Sequence, residues 1–387
     1  MVEVLAAANT PVEQHVDLEL KELTSGEVKQ VAEAEMTYDK RRNSSNPSRV
    51  FPITFPVLLS VKLRVRVDAM RILILTPKSL VARSGNLHTA ERWAELLSEL
   101  GHEAAVTVRY TDQEADLLIA LHGEKTQEGL MLFHAVHPEA PCLVLLAGTD
   151  LYPELSPISL KSLEVADGII VLQEKALKVV PERFADKVSV VIQSVERLVI
   201  TPKEDRGSEG FDVCVVGHLR EVKAPLLTAR AARSLPATSR IRIRHGGGII
   251  ETQYREWVAT EEAANPRYQW LGELDRAATV ALIADSDILV LTSVTEGGPA
   301  VIGEAIVAGT PVLSTNTDGA VGLLGADYPG LFPVGDQAAL TALLRRCEED
   351  DAFYELLKQS AAALIEQFLP EREKASLALA IQKATSK

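Results

Sequence analysis

From Met70 onward, short aliphatic runs alternate with longer segments in which apolar side chains recur every three or four residues. This alternation governs what the chain can fold into. Strands are predicted at Ile72–Thr76, Glu103–Val108, Leu117–Leu121, Cys142–Leu146, Gly168–Leu172 and Val188–Ile192. Helices follow most of them; in Thr89–Leu100, the side chains of Trp93, Leu96, Leu97 and Leu100 share one face. Strands lacking regular polar positions are buried on both sides, as in a parallel sheet whose crossover helices cover both faces. A hydrophilic stretch, Thr201–Gly210, interrupts the pattern, which restarts at Val213–Gly217, Arg240–Arg244, Tyr268–Trp270, Ile288–Leu291 and Val312–Ser314. The expectation is an α/β chain with two doubly wound parallel-sheet domains facing a cleft.

At the carboxyl end of the Asp287–Ser293 run lies Glu296, followed by Gly297, Gly298 and Pro299, with Glu304 eight residues beyond Glu296 on the next helix. The two glycines permit a tight turn, and Pro299 suits the first helical position. Open α/β sheets bind ligands beyond the carboxyl ends of their strands. Two carboxylates with helix N-terminal amides between them suit a sugar nucleotide, the amides for phosphate and a carboxylate for hydroxyls. Ser84-Gly85-Asn86 after the first strand is a second turn whose amides can face a phosphate. His122, Asp150 and His218 each follow a predicted strand and are placed in the cleft.

The stretch from Glu296 to Val312 resembles the glutamate-pair motif of retaining GT-B glycosyltransferases, with a Gly-rich turn after the first Glu and Ala-Gly-Thr-Pro-Val after the second. Val215–Lys223 is similar to the strand and loop carrying the diphosphate-binding cations, and Leu271–Leu274 to the turn beside the nucleobase. His218 stands where that family usually has Arg, and Ala224 where it has Gly, so Arg220 would supply the second positive charge beside Lys223. The resemblance implies two Rossmann-like domains, 70–205 for the acceptor and 206–369 for the UDP-sugar, with a C-terminal helix, 370–387, crossing back onto the first. It implies UDP with Glu304 on the ribose, Lys223 and Arg220 on the diphosphate, and Glu296 with Gly297 and Gly298 near the sugar.

A narrower resemblance covers Met70 to the C-terminus. Gly85–Ala94, Ala120-Leu121-His122, Gly148–Tyr152, Gly217–Arg220, Ala264–Tyr268 and Gly322–Gly330 look like the selenosugar synthases of selenoneine biosynthesis. That likeness implies that selenium of selenophosphate joins the anomeric carbon of a UDP-sugar, UDP-N-acetylglucosamine or UDP-glucose, with release of UDP and then phosphate. Selenophosphate would enter near Gly85, Asn86, His122, Thr149 and Asp150, and His218 or Asp150 would position the water for phosphate loss. Transfer to a hydroxyl of a small acceptor, 2-epimerisation of a UDP-sugar and UDP-sugar binding without catalysis are the competing readings.

A net charge of −14 disfavours nucleic acid and anionic membranes, which select a basic face. No apolar run approaches the about 20 residues of a membrane helix. Three scattered cysteines, Cys142, Cys214 and Cys347, indicate a reduced cytoplasmic protein rather than a disulfide or zinc framework. No cofactor and no metal are expected: Asp285-Ser286-Asp287 has the spacing of a metal-binding pair but reads as a helix end, and His245-Gly246-Gly247-Gly248 reads as a strand-end turn because no Gly-x-Ser-x-Gly elbow accompanies it. Residues 1–69, acidic and then polar and Pro-containing, are expected to form a poorly ordered extension dispensable for activity.

Overall fold

A computed structural model of the chain describes residues 69–78, 85–196 and 210–386. These lie within one compact unit, Asp68–Lys387. All but the last residue of the expected extension at 1–69 and of the linker at 201–210 fall outside the described residues.

The first sheet contains β1 (Arg71–Leu75), β2 (Glu103–Thr107), β3 (Leu117–Leu121), β4 (Cys142–Leu146), β5 (Gly168–Val171) and β6 (Val188–Val190), all parallel, in the order β2-β1-β3-β4-β5-β6. Every residue of β3 and β4 is buried, as expected of central strands covered on both faces. The second sheet contains β7 (Phe211–Val216), β8 (Ile241–Gly246), β9 (Tyr268–Gly272), β10 (Ile288–Leu291), β11 (Val312–Thr315) and β12 (Leu331–Phe332), again all parallel. Its order, β12-β11-β10-β7-β8-β9, reverses direction between β7 and β10, and the first sheet reverses between β1 and β3. At such switch points the loops leaving adjacent strands diverge to opposite faces and open a crevice.

Helices cover the sheets: α1 (Gly85–Glu99), α2 (Gln127–Val136) and α3 (Pro157–Val165) on the first; α4 (Leu227–Arg233), α5 (Gln253–Ala264), α6 (Arg276–Ala284), α7 (Ala300–Ala308), α8 (Asp318–Leu324), α9 (Gln337–Glu349) and α10 (Asp351–Ala362) on the second. α1 begins at Gly85, four residues before the expected start, so Gly85 and Asn86 belong to its first turn instead of a preceding loop. α7 begins at Ala300 with Pro299 as its N-cap, one residue later than the Pro suggested. The last helix, α11 (Pro370–Thr385), packs Leu377, Ala380, Ile381 and Ala384 against Ile72, Ile74, Trp93 and Leu145 of the first domain. Its first turn is pinned by Glu373, buried at 1% exposure, which accepts from Trp93 Nε1 (2.8 Å), Arg92 Nε (3.3 Å) and the Ser194 N–H (2.9 Å). Among the described residues no helix is long and apolar enough to cross a membrane.

Candidate active site

The loop after β7 runs through Gly217-His218-Leu219-Arg220 into a single 3-10 turn, Glu221–Lys223. That turn is fixed to the end of β10: Thr292 Oγ1 donates to the carbonyls of Lys223 (2.9 Å) and Ala224 (3.1 Å), and the Val294 N–H donates to Val222 (2.8 Å). Lys223 thereby projects across the switch point, where its Nζ lies 2.5 Å from Glu296 Oε1. Ser293 Oγ donates to the same carboxylate oxygen at 2.5 Å. The Lys and Glu side chains are only 21% and 12% exposed, so the pair is largely desolvated, and its attraction is screened less than that of a surface pair. Ala224, where the resemblance expects Gly, closes the turn in the left-handed region at φ 43°, a conformation that costs a non-glycine residue about 1–2 kcal/mol.

His218 accepts from the Gly248 N–H through Nδ1 at 3.0 Å. Burial holds its pKa below the usual histidine value against the opposing pull of Glu273, so the ring is neutral. The loop is buttressed by buried His245, which donates through Nε2 to the Gly217 carbonyl (3.0 Å) and accepts from the Tyr268 hydroxyl at Nδ1 (3.0 Å). Gly247, at φ 157°, has no room for a side chain: a Cβ there would sit 2.0 Å from Gly217 O. Arg220 carries a buried Nε with no hydrogen-bond partner among the described residues. The His245-Gly-Gly-Gly turn thus supports the loop that holds His218 and Arg220.

The Gly297-Gly298 turn lies against the first domain. A Cβ on Gly297 would come within 2.3 Å of the Ala147 carbonyl oxygen and 2.6 Å of Gly148 Cα, and one on Gly298 within 2.5 Å of Leu172 Cβ. Only glycines allow this backbone-to-backbone approach. One turn into α7, Glu304 accepts from Arg276 Nη1 at 3.2 Å. The same Nη1 lies 3.0 Å from Nε2 of His88 on α1. A chain of three side chains, Glu304–Arg276–His88, therefore links the second domain to the first turns of the helix that begins at Gly85 and Asn86. Burial pushes the Glu304 carboxyl up and Arg276 pulls it back; burial, then Arg276, depress His88, leaving that ring neutral and able to accept from the guanidinium.

In the first domain His122 adopts a left-handed backbone, φ 75°, at the end of β3. Its Nδ1 accepts from the Lys125 N–H (3.3 Å), which leaves the proton on Nε2 to donate to Thr149 Oγ1 at 3.0 Å. Thr149 is exposed, whereas Asp150 is 1% exposed and spends both oxygens on the N–H groups of Gly123 (2.7 Å), Ala147 (2.9 Å) and Gly148 (2.8 Å). Asp150 therefore shapes the loop that presents Thr149 and seats Gly297; it is not a carboxylate standing free in the cleft. Asp285-Ser286-Asp287 lies at the opposite, amino end of β10, where Asp287 Oδ2 accepts from the Asp212 N–H at 2.6 Å and Ser286 Oγ donates to Leu282 O at 2.7 Å.

Residues 197–364 match the family described as Glycosyl transferases group 1, a stretch that contains Lys223, Glu296 and Glu304 and spans somewhat under half of the chain. Comparison with curated proteins found no match. Among solved structures, Alr3699/HepE of Anabaena, determined in complex with UDP-glucose, is 18% identical with a TM-score of 0.63, covering 81% of this chain and 99% of that one. A glycosyltransferase from Rickettsia africae is 14% identical with a TM-score of 0.64, covering 83% and 100%. Sucrose-phosphate synthase from Thermosynechococcus elongatus is 15% identical with a TM-score of 0.62, covering 81% and 98%. The fold is GT-B. Lys223 follows β7, Glu296 follows β10 and Glu304 lies on α7, all in the second sheet's half of that fold.

Arg276, Gln173, Ser293 and the partnership of His88 with Arg276 were not apparent in the sequence. Arg276 follows Asp275, whose N-cap bond to the Ala278 N–H (2.8 Å) is the local signal that a helix begins there and turns that side chain toward Glu304. Nothing local points to His88 as its partner, 188 residues away.

Proposed function

We propose that this protein transfers a sugar from a UDP-sugar, with the nucleotide on the second domain, and that its acceptor is selenophosphate. The observation that carries the first part is the meeting of Lys223 and Glu296 at the β7/β10 switch point, one turn of helix from Glu304. A lysine held on a rigid turn beside the Gly297-Gly298 amides is suited to charge that develops on a departing diphosphate, and such fixed stabilisation is usually the largest catalytic term. Glu304 suits the ribose hydroxyls as acceptor, and Arg220 adds positive charge beside Lys223. Lys223, Arg220 and helix amino termini supply the neutralisation that other enzymes take from a divalent cation, so the reaction is proposed to proceed without metal.

The acceptor is proposed from the resemblance of Gly85–Ala94, Ala120–His122 and Gly148–Tyr152. The selenium lone pair forms the C–Se bond as the bond from the anomeric carbon to the diphosphate oxygen breaks, with that electron pair leaving on UDP. Water then cleaves the Se–P bond, giving phosphate and the sugar selenol. Selenophosphate is an anionic, soft nucleophile and needs little general-base assistance, in keeping with a neutral His122 and an Asp150 whose two oxygens already accept from backbone amides.

The test is incubation with UDP-glucose or UDP-N-acetylglucosamine, with and without selenophosphate, followed by mass spectrometry for UDP and a selenium-containing sugar and repeated with a chelator. UDP and selenosugar formed only with selenophosphate, chelator or not, is the expected result. UDP release with hydroxyl acceptors alone would overturn the acceptor, epimerised UDP-sugar would overturn transfer itself, and activity lost on chelation and restored by magnesium would overturn metal independence.

A further inference from the structure

Gln173 stands two residues past the end of β5 in the first domain and is completely buried. Its Nε2 donates to the Tyr152 hydroxyl at 3.0 Å and, across the cleft, to the carbonyl oxygen of Gly297 at 3.2 Å. Its Oε1 accepts from the Ala176 N–H at 3.2 Å, which fixes the orientation of the amide and therefore which end faces Gly297. On the second-domain side Gly322 of α8 closes over it; a Cβ there would fall 2.0 Å from Gln173 Oε1. The side chain is thus oriented by Tyr152 and Ala176 of its own domain, covered by Gly322 of the other, and presents a single donor to the turn beside Glu296.

The Gly297–Gly298 peptide is trans, so its carbonyl and its N–H point in opposite directions. Holding the Gly297 oxygen toward Gln173 turns the Gly298 N–H away from the first domain's β5 end. Gly297 has no side chain with which to resist rotation of that peptide, so the turn has no orienting device of its own. The hydrogen bond exists only when the two domains are together, because donor and acceptor belong to different ones.

From this we infer that Gln173 is a positioning residue that couples domain closure to the orientation of the Gly297–Gly298 peptide. The inference rests on the proposed role of that turn in holding the donor's phosphate and sugar. Nucleotide binding to the second domain alone does not need the bond; stabilisation of the leaving diphosphate does. In the open state the Gly298 amide is unaligned, and bound donor is protected from reaction with water until the acceptor-bearing domain arrives.

The experiment compares wild type with Gln173→Met, which keeps the volume and removes the donor, and with Gly322→Ala, which displaces Gln173 from the other side. Turnover of UDP-sugar and UDP binding by calorimetry are measured for each. Each variant is expected to lower kcat about ten- to a hundredfold, as misplacement of a reacting group does, while the UDP Kd stays within about twofold; the double variant is expected to lose no more than the worse single one, since both act on one bond. A kcat within about twofold of wild type in a folded variant, or a UDP affinity that falls in proportion to kcat, overturns the coupling. If Gln173→Met does not fold, Gly322→Ala decides alone. Failure of wild type to bind UDP would instead overturn the reading of the turn, which keeps the two failures apart.

Discussion

Lys223 and Glu296, 73 residues apart, meet at 2.5 Å across the seam between β7 and β10, and the turn that carries the lysine is held by the end of the glutamate's strand. The lysine's turn hangs from Thr292 and Val294 beyond β10, while the glutamate shares its oxygen with Ser293. Cation and carboxylate are therefore parts of one rigid unit, and removing either leaves a partly buried charge behind.

Lys223→Ala is expected to raise the barrier to UDP departure by about 3–4 kcal/mol, the effect of losing one stabiliser of leaving-group charge. Steady-state turnover of a UDP-sugar checks it. Unchanged turnover would remove Lys223 from the reaction.

Glu304→Ala should weaken UDP binding by about 1.5–3 kcal/mol, the worth of hydrogen bonds to a charged group. Arg276→Met should have a different signature. Burial already raises the Glu304 carboxyl and Arg276 opposes it, so without the guanidinium the carboxyl rises further and protonates as pH falls. Only the ionised form accepts from both ribose hydroxyls, so the variant's affinity should drop between pH 8 and pH 6 more than wild type does. Calorimetry at the two pH values checks this; an equal loss at both would show that Arg276 acts otherwise.

Gly297→Ala places a methyl 2.3 Å from the Ala147 carbonyl oxygen, backbone against backbone. Neither side can yield by changing a rotamer, so the domains must separate locally. Turnover should fall at least about tenfold, in line with an ångström-scale misplacement, while the melting temperature changes little because the two cores are untouched. Small-angle scattering should show a larger radius of gyration than for wild type, and an unchanged radius with full activity would contradict the contact.

His245 gives the fold a pH dependence. Burial pushes its pKa down to about 4 from an ordinary value of 6.5. Between those values the unfolded chain binds a proton that the folded one refuses, so stability rises with pH and is lost on acidification. The slope attributable to this ring approaches 1.4 kcal/mol per pH unit, about 3 kcal/mol over the window. Urea unfolding at pH 7, 6 and 5 should show this slope in wild type and a flatter one in His245→Gln; parallel slopes would count against it.

The two sheets were legible because buried parallel strands leave aliphatic runs, and the glutamate-pair turn because two glycines, a proline and two carboxylates in fixed order leave few alternatives. What the sequence concealed has one physical character. Gln173 to Gly297 spans 124 residues and Arg276 to His88 spans 188, and local periodicity carries no information about partners met across a cleft. Asp150 misled for a related reason: a carboxylate at a strand end looks available until the Gly123, Ala147 and Gly148 amides fold around it. The start of α1 was misjudged because Gly85 and Asn86 have weak helix propensity, which the packing of Trp93 and Leu97 overrides.

The route of the last helix bears on how the chain is made. Leu377, Ala380, Ile381 and Ala384 complete a face of the sheet that begins at Ile72, so some three hundred residues must be synthesised before that face can close. During translation the first domain waits with apolar surface uncovered while the second, whose buried core is drawn from Phe211 onward with only Ile192 of the first domain packed against it, is still emerging. A stop codon anywhere in α11 would accordingly leave the domain far from it in sequence, rather than the one preceding it, as the client for chaperones and proteases.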